Sequence, residues 1–425
     1  MLSRQMLSAA LAAVLLCSSG AAFADNPDLG QLQQELQRLQ SLDKPEPATP
    51  NGWKRGAAAR SGEQLRARLQ EWGYDPGHGD AGLEAALKDF QRVNHLKASG
   101  VLDANTRKRL QLPREARIAR LSNRLDTEAE KPVDMSSPRH IVVNIPAFRL
   151  RAYEDGKPVL ESPVVVGRPK RPTPELSVAM RAVKYNPTWT APPTIVKEDL
   201  LPLLSRDPAA FARRGMVVLD SKNRQISPSA IGGISPGRFY SAGYRLVQPA
   251  GDRNALGKLK FEITNTPSVY MHDTNHRSDF GKPVRALSSG CVRVQQYLPL
   301  AAWLLSRNEA DIQSRIDRGR TASEAAPDIP VDFVYWLAEV NDGHIVYLDD
   351  VYDRLDQPRR PAPKPAAEPA TPSSEPSAPA GTTTASAAVS STDVASITLQ
   401  PATPPSFLET TPPQVTPVDP TTAAR

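Results

Sequence analysis

The apolar period of this chain changes near residue 140, and that change limits the folds open to it. Up to residue 130 the large apolar side chains recur every three to four positions, as on one face of a helix; from 141 onward they alternate or fall in short β-branched runs. A helical part and a β part must therefore be built separately around their own cores. Leu29, Leu32, Leu36, Leu39 and Leu42 predict an amphipathic helix within residues 25–56, one that needs a partner surface to be stable. Pro45, Pro47 and Pro50 end it.

Residues 57–112 predict a small helical domain. Leu65 and Leu69 share a face, and Gly73-Tyr74-Asp75-Pro76-Gly77 makes a turn. Gly79-Asp80-Ala81-Gly82 reads as a loop before a second helix carrying Leu83, Leu87 and Phe90. Asp103 is placed to cap a last helix with Thr106 and Leu110. Residues 113–138 return to helical spacing at Ile118, Leu121 and Leu125, so the two outer helices are expected to pack together as a scaffold around the small domain.

The β part spans 139–355. Strands are expected at 141–145, 149–153 and 159–166, with Glu154-Asp155-Gly156-Lys157 as a hairpin turn. Residues 188–237 form a mixed, lid-like insertion with short helices at 198–205 and 208–213. Strands resume at 244–247, 258–263 and 268–271, followed by helices at 299–305 and 310–316. A closing hairpin, 331–339 with 344–348, turns at Asn341-Asp342-Gly343. Much of the chain's complement of 42 prolines lies after residue 356, in a Pro/Ala/Ser/Thr tail too poor in apolar clusters to offset its chain entropy; residues 356–425 are expected to be disordered.

Residues 1–24 read as a cleaved secretory signal: Arg4, an apolar run at 6–16, then Ala22-Phe23-Ala24 before Asp25. Cys17 follows Leu16, where a lipoprotein signal wants a small residue, so it leaves with the signal. No later stretch is long and apolar enough for a membrane span. The net charge of +6 suits an anionic envelope polymer, and the absence of a dense Lys/Arg block argues against a nucleic-acid partner.

Cys291 is then the sole cysteine of the mature chain, either an inert core residue or a reactive thiol. His272 stands 19 positions earlier, across a polar, turn-rich segment able to bring the two together. A thiol attacks as its thiolate, and an imidazole can take that proton and later return it to a leaving amine. Gly290 permits a tight backbone whose amides at 290–291 could face a developing oxyanion. Arg293, two residues on, shares the face of Cys291 if the segment is extended, where its charge favours thiolate or a bound carboxylate. The residues thus point to a Cys/His acyl-transfer site. One cysteine and scattered histidines disfavour a zinc peptidase.

Two resemblances sharpen these expectations. Ala85-Ala86-Leu87-x-x-Phe90-Gln91, Leu96, Gly100-Val101-Leu102-Asp103 and Thr106-x-x-x-Leu110 resemble the three-helix peptidoglycan-binding domain. Tyr270-Met271-His272-Asp273-Thr274 followed by Ser288-Ser289-Gly290-Cys291-Val292-Arg293 resembles the L,D-transpeptidase (YkuD-like) catalytic domain, in the large form that also carries such a binding module. Flanking runs agree: Val143-Asn144-Ile145-Pro146, Asn186-Pro187-x-Trp189-x-x-Pro192-Pro193 and Asn254-Ala255-Leu256-Gly257.

The second resemblance implies a multidomain protein whose mostly β catalytic domain is an L,D-transpeptidase-like β-sandwich with short helices, beside the small all-α domain and helical scaffold. It implies a periplasmic enzyme that needs no cofactor or metal and forms 3→3 cross-links through a cysteine thioester. Cys291 would be the nucleophile and His272 the proton donor and acceptor. Arg293, Gly290 and Ser289 would support them, the backbone carbonyl of Asp273 would orient the imidazole, and Tyr270 and Ser288 would meet substrate. Ser289 departs from members with a second histidine there. Implied partners are peptidoglycan stems, a tetrapeptide donor and a diamino-acid acceptor, with cell-wall synthesis proteins beyond them; carbapenem-type β-lactams acylate the family's cysteine. The rival readings are attachment or release of a lipoprotein at peptidoglycan by the same chemistry, and a non-catalytic peptidoglycan-binding scaffold.

Overall fold

The structure is a computed structural model, and it describes residues 27–264 and 269–356. The signal segment, Cys17 and the tail beyond residue 356 lie outside the described residues. No helix among them is long and apolar enough to cross a membrane.

Five helices come first: α1 (Pro27–Gln40), α2 (Ala59–Glu71), α3 (Gly79–Val93), α4 (Ala104–Leu110) and α5 (Arg114–Glu130). Their leucine faces meet in one core that gathers Leu29, Leu32 and Leu39 of α1, Leu65 and Leu69 of α2, Leu83, Leu87 and Phe90 of α3, Leu110 of α4, and Leu121 and Leu125 of α5. The Asp103 carboxylate accepts from the Thr106 amide at 2.8 Å and starts α4. Residues 79–82 are the first turn of α3 rather than a loop. A β-carbon at Gly82 would lie 2.5 Å from the Pro76 carbonyl oxygen, so glycine there lets the preceding turn close against the helix.

A charged cluster is sealed into this helical unit. Glu71 is bonded by Arg68 at 2.6 Å, by Arg114 at 3.2 Å and by Arg117, and Glu46 joins Arg68 and Arg117 from the linker. Arg68 is 2% exposed and Arg117 0%, and the Arg117 guanidinium lies 4.9 Å from the Trp72 ring centroid. Removing one partner from such a site strands the others. Glu71→Gln is expected to cost about 3 kcal/mol, read as a lower midpoint in denaturant unfolding; a midpoint within error of the parent would contradict the assignment.

The main sheet of the β region has nine strands in the order β11-β3-β12-β10-β9-β4-β13-β1-β2, with β2 also pairing β3. Its members are β1 (Arg139–Asn144), β2 (Arg149–Glu154), β3 (Lys157–Gly167), β4 (Leu176–Tyr185), β9 (Leu259–Ile263), β10 (Met271–His272), β11 (Ala286–Ser288), β12 (Val292–Val294) and β13 (Ala322–Val334). The first part of β3 pairs β2 and its last residues pair β12 and β11, so the sheet wraps around a single core. Ile141, Val143, Leu150, Val164, Val166, Val183, Phe261, Met271, Val292 and Phe333 fill it. Helices α6 (Tyr297–Leu305) and α7 (Glu309–Asp317) add Leu300, Leu304, Ile312 and Ile316.

Two parts differ from the periodicity reading. Residues 331–339 are not one arm of a hairpin: β13 ends at Val334, inside the main sheet, and a separate ribbon, β14 (Ala338–Asn341) with β15 (His344–Tyr347), follows it. That ribbon sends Ala338 and Tyr347 into the helical core. The inserted region also runs further than residue 237. Strands β5 (Trp189–Thr190), β6 (Val217–Leu219), β7 (Gln225–Ile226) and β8 (Arg245–Gln248) form a second sheet ordered β5-β8-β6-β7. The strand expected at 244–247 thus belongs to the insertion, whose own core holds Val196, Leu200, Leu204, Phe211, Val218, Phe239 and Leu246.

Candidate active site

Strand register brings His272 and Cys291 to neighbouring places. Strands β10 and β12 run parallel, with Met271 opposite Val292 and His272 opposite Arg293. Cys291 immediately precedes β12, and the Val292 amide donates to the Tyr270 carbonyl at 2.9 Å. Met271 and Val292 point into the core, so the alternate residues Tyr270, His272 and Arg293 take the opposite face.

The imidazole is fixed by its own chain neighbour. Nδ1 of His272 hydrogen-bonds the Asp273 carbonyl oxygen. A carbonyl only accepts, so Nδ1 carries the proton and Nε2 keeps the basic lone pair. His272 is buried; that burial first, then the charge of Arg293, pulls its pKa down to about 3, opposed by the Asp273 bond and helped least by Lys260. Burial pushes the Cys291 thiol up, while a hydrogen bond from the Tyr270 backbone, Arg293 and Lys260 pull it back. Both groups therefore rest in their neutral forms, which suits base-assisted attack.

The Asp273 side chain locks the same segment from behind. Its carboxylate accepts from the Lys258 amide at 2.9 Å and pairs with Arg277. A β-carbon at Gly257, where φ is +62°, would fall 2.3 Å from that carboxylate. Asn254-Ala255-Leu256-Gly257 is thus the turn that lets Asp273 close over it.

The turn before Cys291 is braced from two sides. Ser288 Oγ donates to the Cys291 carbonyl at 2.6 Å and accepts from the Gly290 amide at 3.1 Å. Ser288, expected at the substrate, is instead buried and committed to this turn, and the Gly290 N–H is committed with it rather than to an oxyanion. Gly290 adopts φ +113°, a region open to glycine. Thr173 Oγ1 donates to the Gly290 carbonyl at 2.7 Å and accepts from the Gly167 amide at 2.9 Å, which fixes the plane of the Gly290–Cys291 peptide. Tyr352 backs it, donating to the Gly167 carbonyl at 2.7 Å and accepting from the Thr173 amide at 3.1 Å.

Ser289 faces the insertion. Its hydroxyl accepts from Arg171 at 3.1 Å and from Arg168 at 3.4 Å. Arg171 in turn pairs with Glu198 and Asp199 in the π-helical turn Val196–Leu200. Arg293 is held by Asp279 at 2.8 Å. Tyr270 presents its ring face to the Lys260 ammonium, 4.0 Å from the ring centroid.

Sequence reasoning missed Lys260, Thr173, Arg171, Asp279 and Tyr352. The alternation Lys258-Leu259-Lys260-Phe261-Glu262 marks a polar face for Lys260. The others are brought in by pairings far apart in sequence, for which a single chain carries no local signal.

Residues 138–317 match the family model described as L,D-transpeptidase catalytic domain, and residues 62–110 match the one described as "Putative peptidoglycan binding domain". A Haemophilus influenzae protein described as "Putative L,D-transpeptidase" is 36% identical over 219 residues, or 50% of this chain; the match spans 44% of that relative's length. Among solved structures, the chain is similar to an L,D-transpeptidase from Stackebrandtia nassauensis, with 12% identity, 68% of this chain and 97% of that one covered, and a TM-score of 0.26. It is also similar to L,D-transpeptidase 1 of Mycobacterium tuberculosis, with 16% identity, 46% and 61% covered, and a TM-score of 0.19. The β region around Cys291 and His272 thus matches an L,D-transpeptidase catalytic domain, and the helical region before it matches a peptidoglycan-binding domain.

Proposed function

We propose that this protein is a periplasmic L,D-transpeptidase that joins peptidoglycan stems by 3→3 cross-links through a thioester on Cys291. The observation that carries the reading is the tautomer of His272: Nδ1 donates to the Asp273 carbonyl, and the basic Nε2 is left to serve a thiol that begins the adjoining strand. In the first half-reaction Nε2 takes the thiol proton as Sγ attacks the carbonyl carbon of the L-to-D bond after the diamino acid. The S–C bond forms, the C–N bond breaks, and D-alanine leaves with the proton returned by His272. In the second, the side-chain amine of another stem attacks the thioester, its proton passes to Nε2, an amide forms, and the thiol is restored.

The matched peptidoglycan-binding domain supports a polymeric wall substrate. The insertion, tied to Ser289 through Arg171, Glu198 and Asp199, supports a covered binding face. Mature protein incubated with tetrapeptide-bearing muropeptides is expected to yield dimers linked diamino acid to diamino acid, with one D-alanine released per link, as read by chromatography and mass spectrometry. Release of D-alanine or of a lipoprotein without such dimers would replace this reading with hydrolysis or lipoprotein exchange.

A further inference from the structure

The cross-strand register sets four polar residues in a row. Lys184 of β4 lies opposite Lys260 of β9, Lys260 opposite His272 of β10, and His272 opposite Arg293 of β12. Partners directly opposite share a face, and their neighbours Val183, Phe261, Met271 and Val292 fill the core. The period of two adds Glu262 and Tyr270 to the same face, and Cys291 lies two residues before Arg293.

The charges along this row are unevenly matched. Asp279 holds Arg293 at 2.8 Å. Lys260 has a side chain 20% exposed, and its nearest carboxylate among the described residues, Glu262, stands 3.9 Å away, beyond hydrogen-bond reach. Its ammonium rests over the Tyr270 ring, and beside it stands Lys184, a like charge directly opposite on the next strand, an arrangement that costs stability. Its field reaches the thiol, since Lys260 draws Cys291 toward thiolate. Two adjoining cations, one half-buried and weakly neutralised, are complementary to an anion on the Cys291 face.

We propose that Lys260, with Lys184 beside it and the Tyr270 ring beneath it, forms a carboxylate-binding subsite that selects and orients an anionic acyl donor at Cys291. The acyl-donor role rests on the acyl-transfer reading above; the anion site itself does not. Lys260 is then the specificity-determining cation, and Tyr270 acts through it as a positioning residue.

The test alkylates Cys291 of the mature protein with two reagents of one mechanism, anionic iodoacetate and neutral iodoacetamide, and follows the Cys291 peptide by mass spectrometry. Each consumes the same thiolate, so their rate ratio cancels changes in thiol pKa and reports local preference for the carboxylate. Lys260→Gln is expected to lower the iodoacetate-to-iodoacetamide ratio about fivefold, Lys260→Arg to keep most of it, and Lys184→Gln to lower it about twofold, all converging as salt rises to about 0.5 M. Lys260→Met, which keeps an apolar stem against Tyr270, is the second variant should the glutamine form not fold. A ratio unchanged in the Lys260 variants overturns the subsite. With muropeptide donors, Lys260→Gln is expected to raise KM several-fold more than kcat falls, and less so when the donor carboxylate is amidated. If no acyl transfer occurs but the alkylation ratio shifts, the subsite stands and the transpeptidase reading falls.

Discussion

Cys291→Ala is expected to lose acyl transfer by roughly 10⁴-fold or more while leaving the fold intact. The two halves of that expectation rest on different observations. The loss follows because Cys291 is the one cysteine among the described residues, and it immediately precedes the strand beside the buried imidazole. The intact fold follows because the turn is held through backbone atoms: Ser288 grips the Cys291 carbonyl and the Gly290 amide, and Thr173 grips the Gly290 carbonyl. None of these bonds uses Sγ. Intact-mass measurement after incubation with a carbapenem should show one adduct on the parent and none on the variant, with thermal midpoints within a few degrees of each other. An adduct that persists in Cys291→Ala would move the nucleophile elsewhere in the chain.

The elements that were legible in the sequence are those with a local pattern. Leucines at three and four residues announced α1, α2, α3 and α5. Ile141 and Val143, and later Val164 and Val166, announced the core of the sheet. The His272 and Cys291 segments were legible because residue type carries chemistry whatever the fold. What was hidden is non-local. Strands β5 and β7 have two residues each, too short to show a period, so the second sheet and the length of the insertion could not be read. Ser288 lies in the same short motif as Cys291, yet its hydroxyl closes a turn, which only three-dimensional geometry reveals. Lys184, Lys260, His272 and Arg293 are far apart in the chain and become neighbours only through sheet register.

His272→Gln is expected to slow acylation by about 10²–10⁴-fold, the usual range for a lost general base, and its pH behaviour carries the sharper information. In the parent, burial and Arg293 hold the imidazole neutral down to about pH 3, and burial raises the thiol above its ordinary range. Two resting states are conceivable for a Cys/His site: a thiolate–imidazolium pair formed near neutrality, or a neutral pair in which the proton moves during attack. The signs here favour the second, because each shift disfavours the charged form of its own group. On the proposed mechanism, an imidazolium formed during attack would be destabilised by the same burial and by Arg293, and would be a ready proton donor to the departing amine. The plateau of kcat/KM should therefore extend to acid pH without an inflection between pH 5 and 7. Alkylation by iodoacetamide should climb through the alkaline range, as for an unassisted buried thiol, with no neutral-pH plateau, and His272→Gln should keep that shape while its acylation rate falls. A parent alkylation plateau between about pH 5 and 8 that vanishes in His272→Gln would establish the ion pair instead, and with it a site in which Arg293 and Lys260 stabilise a standing thiolate rather than a transient one.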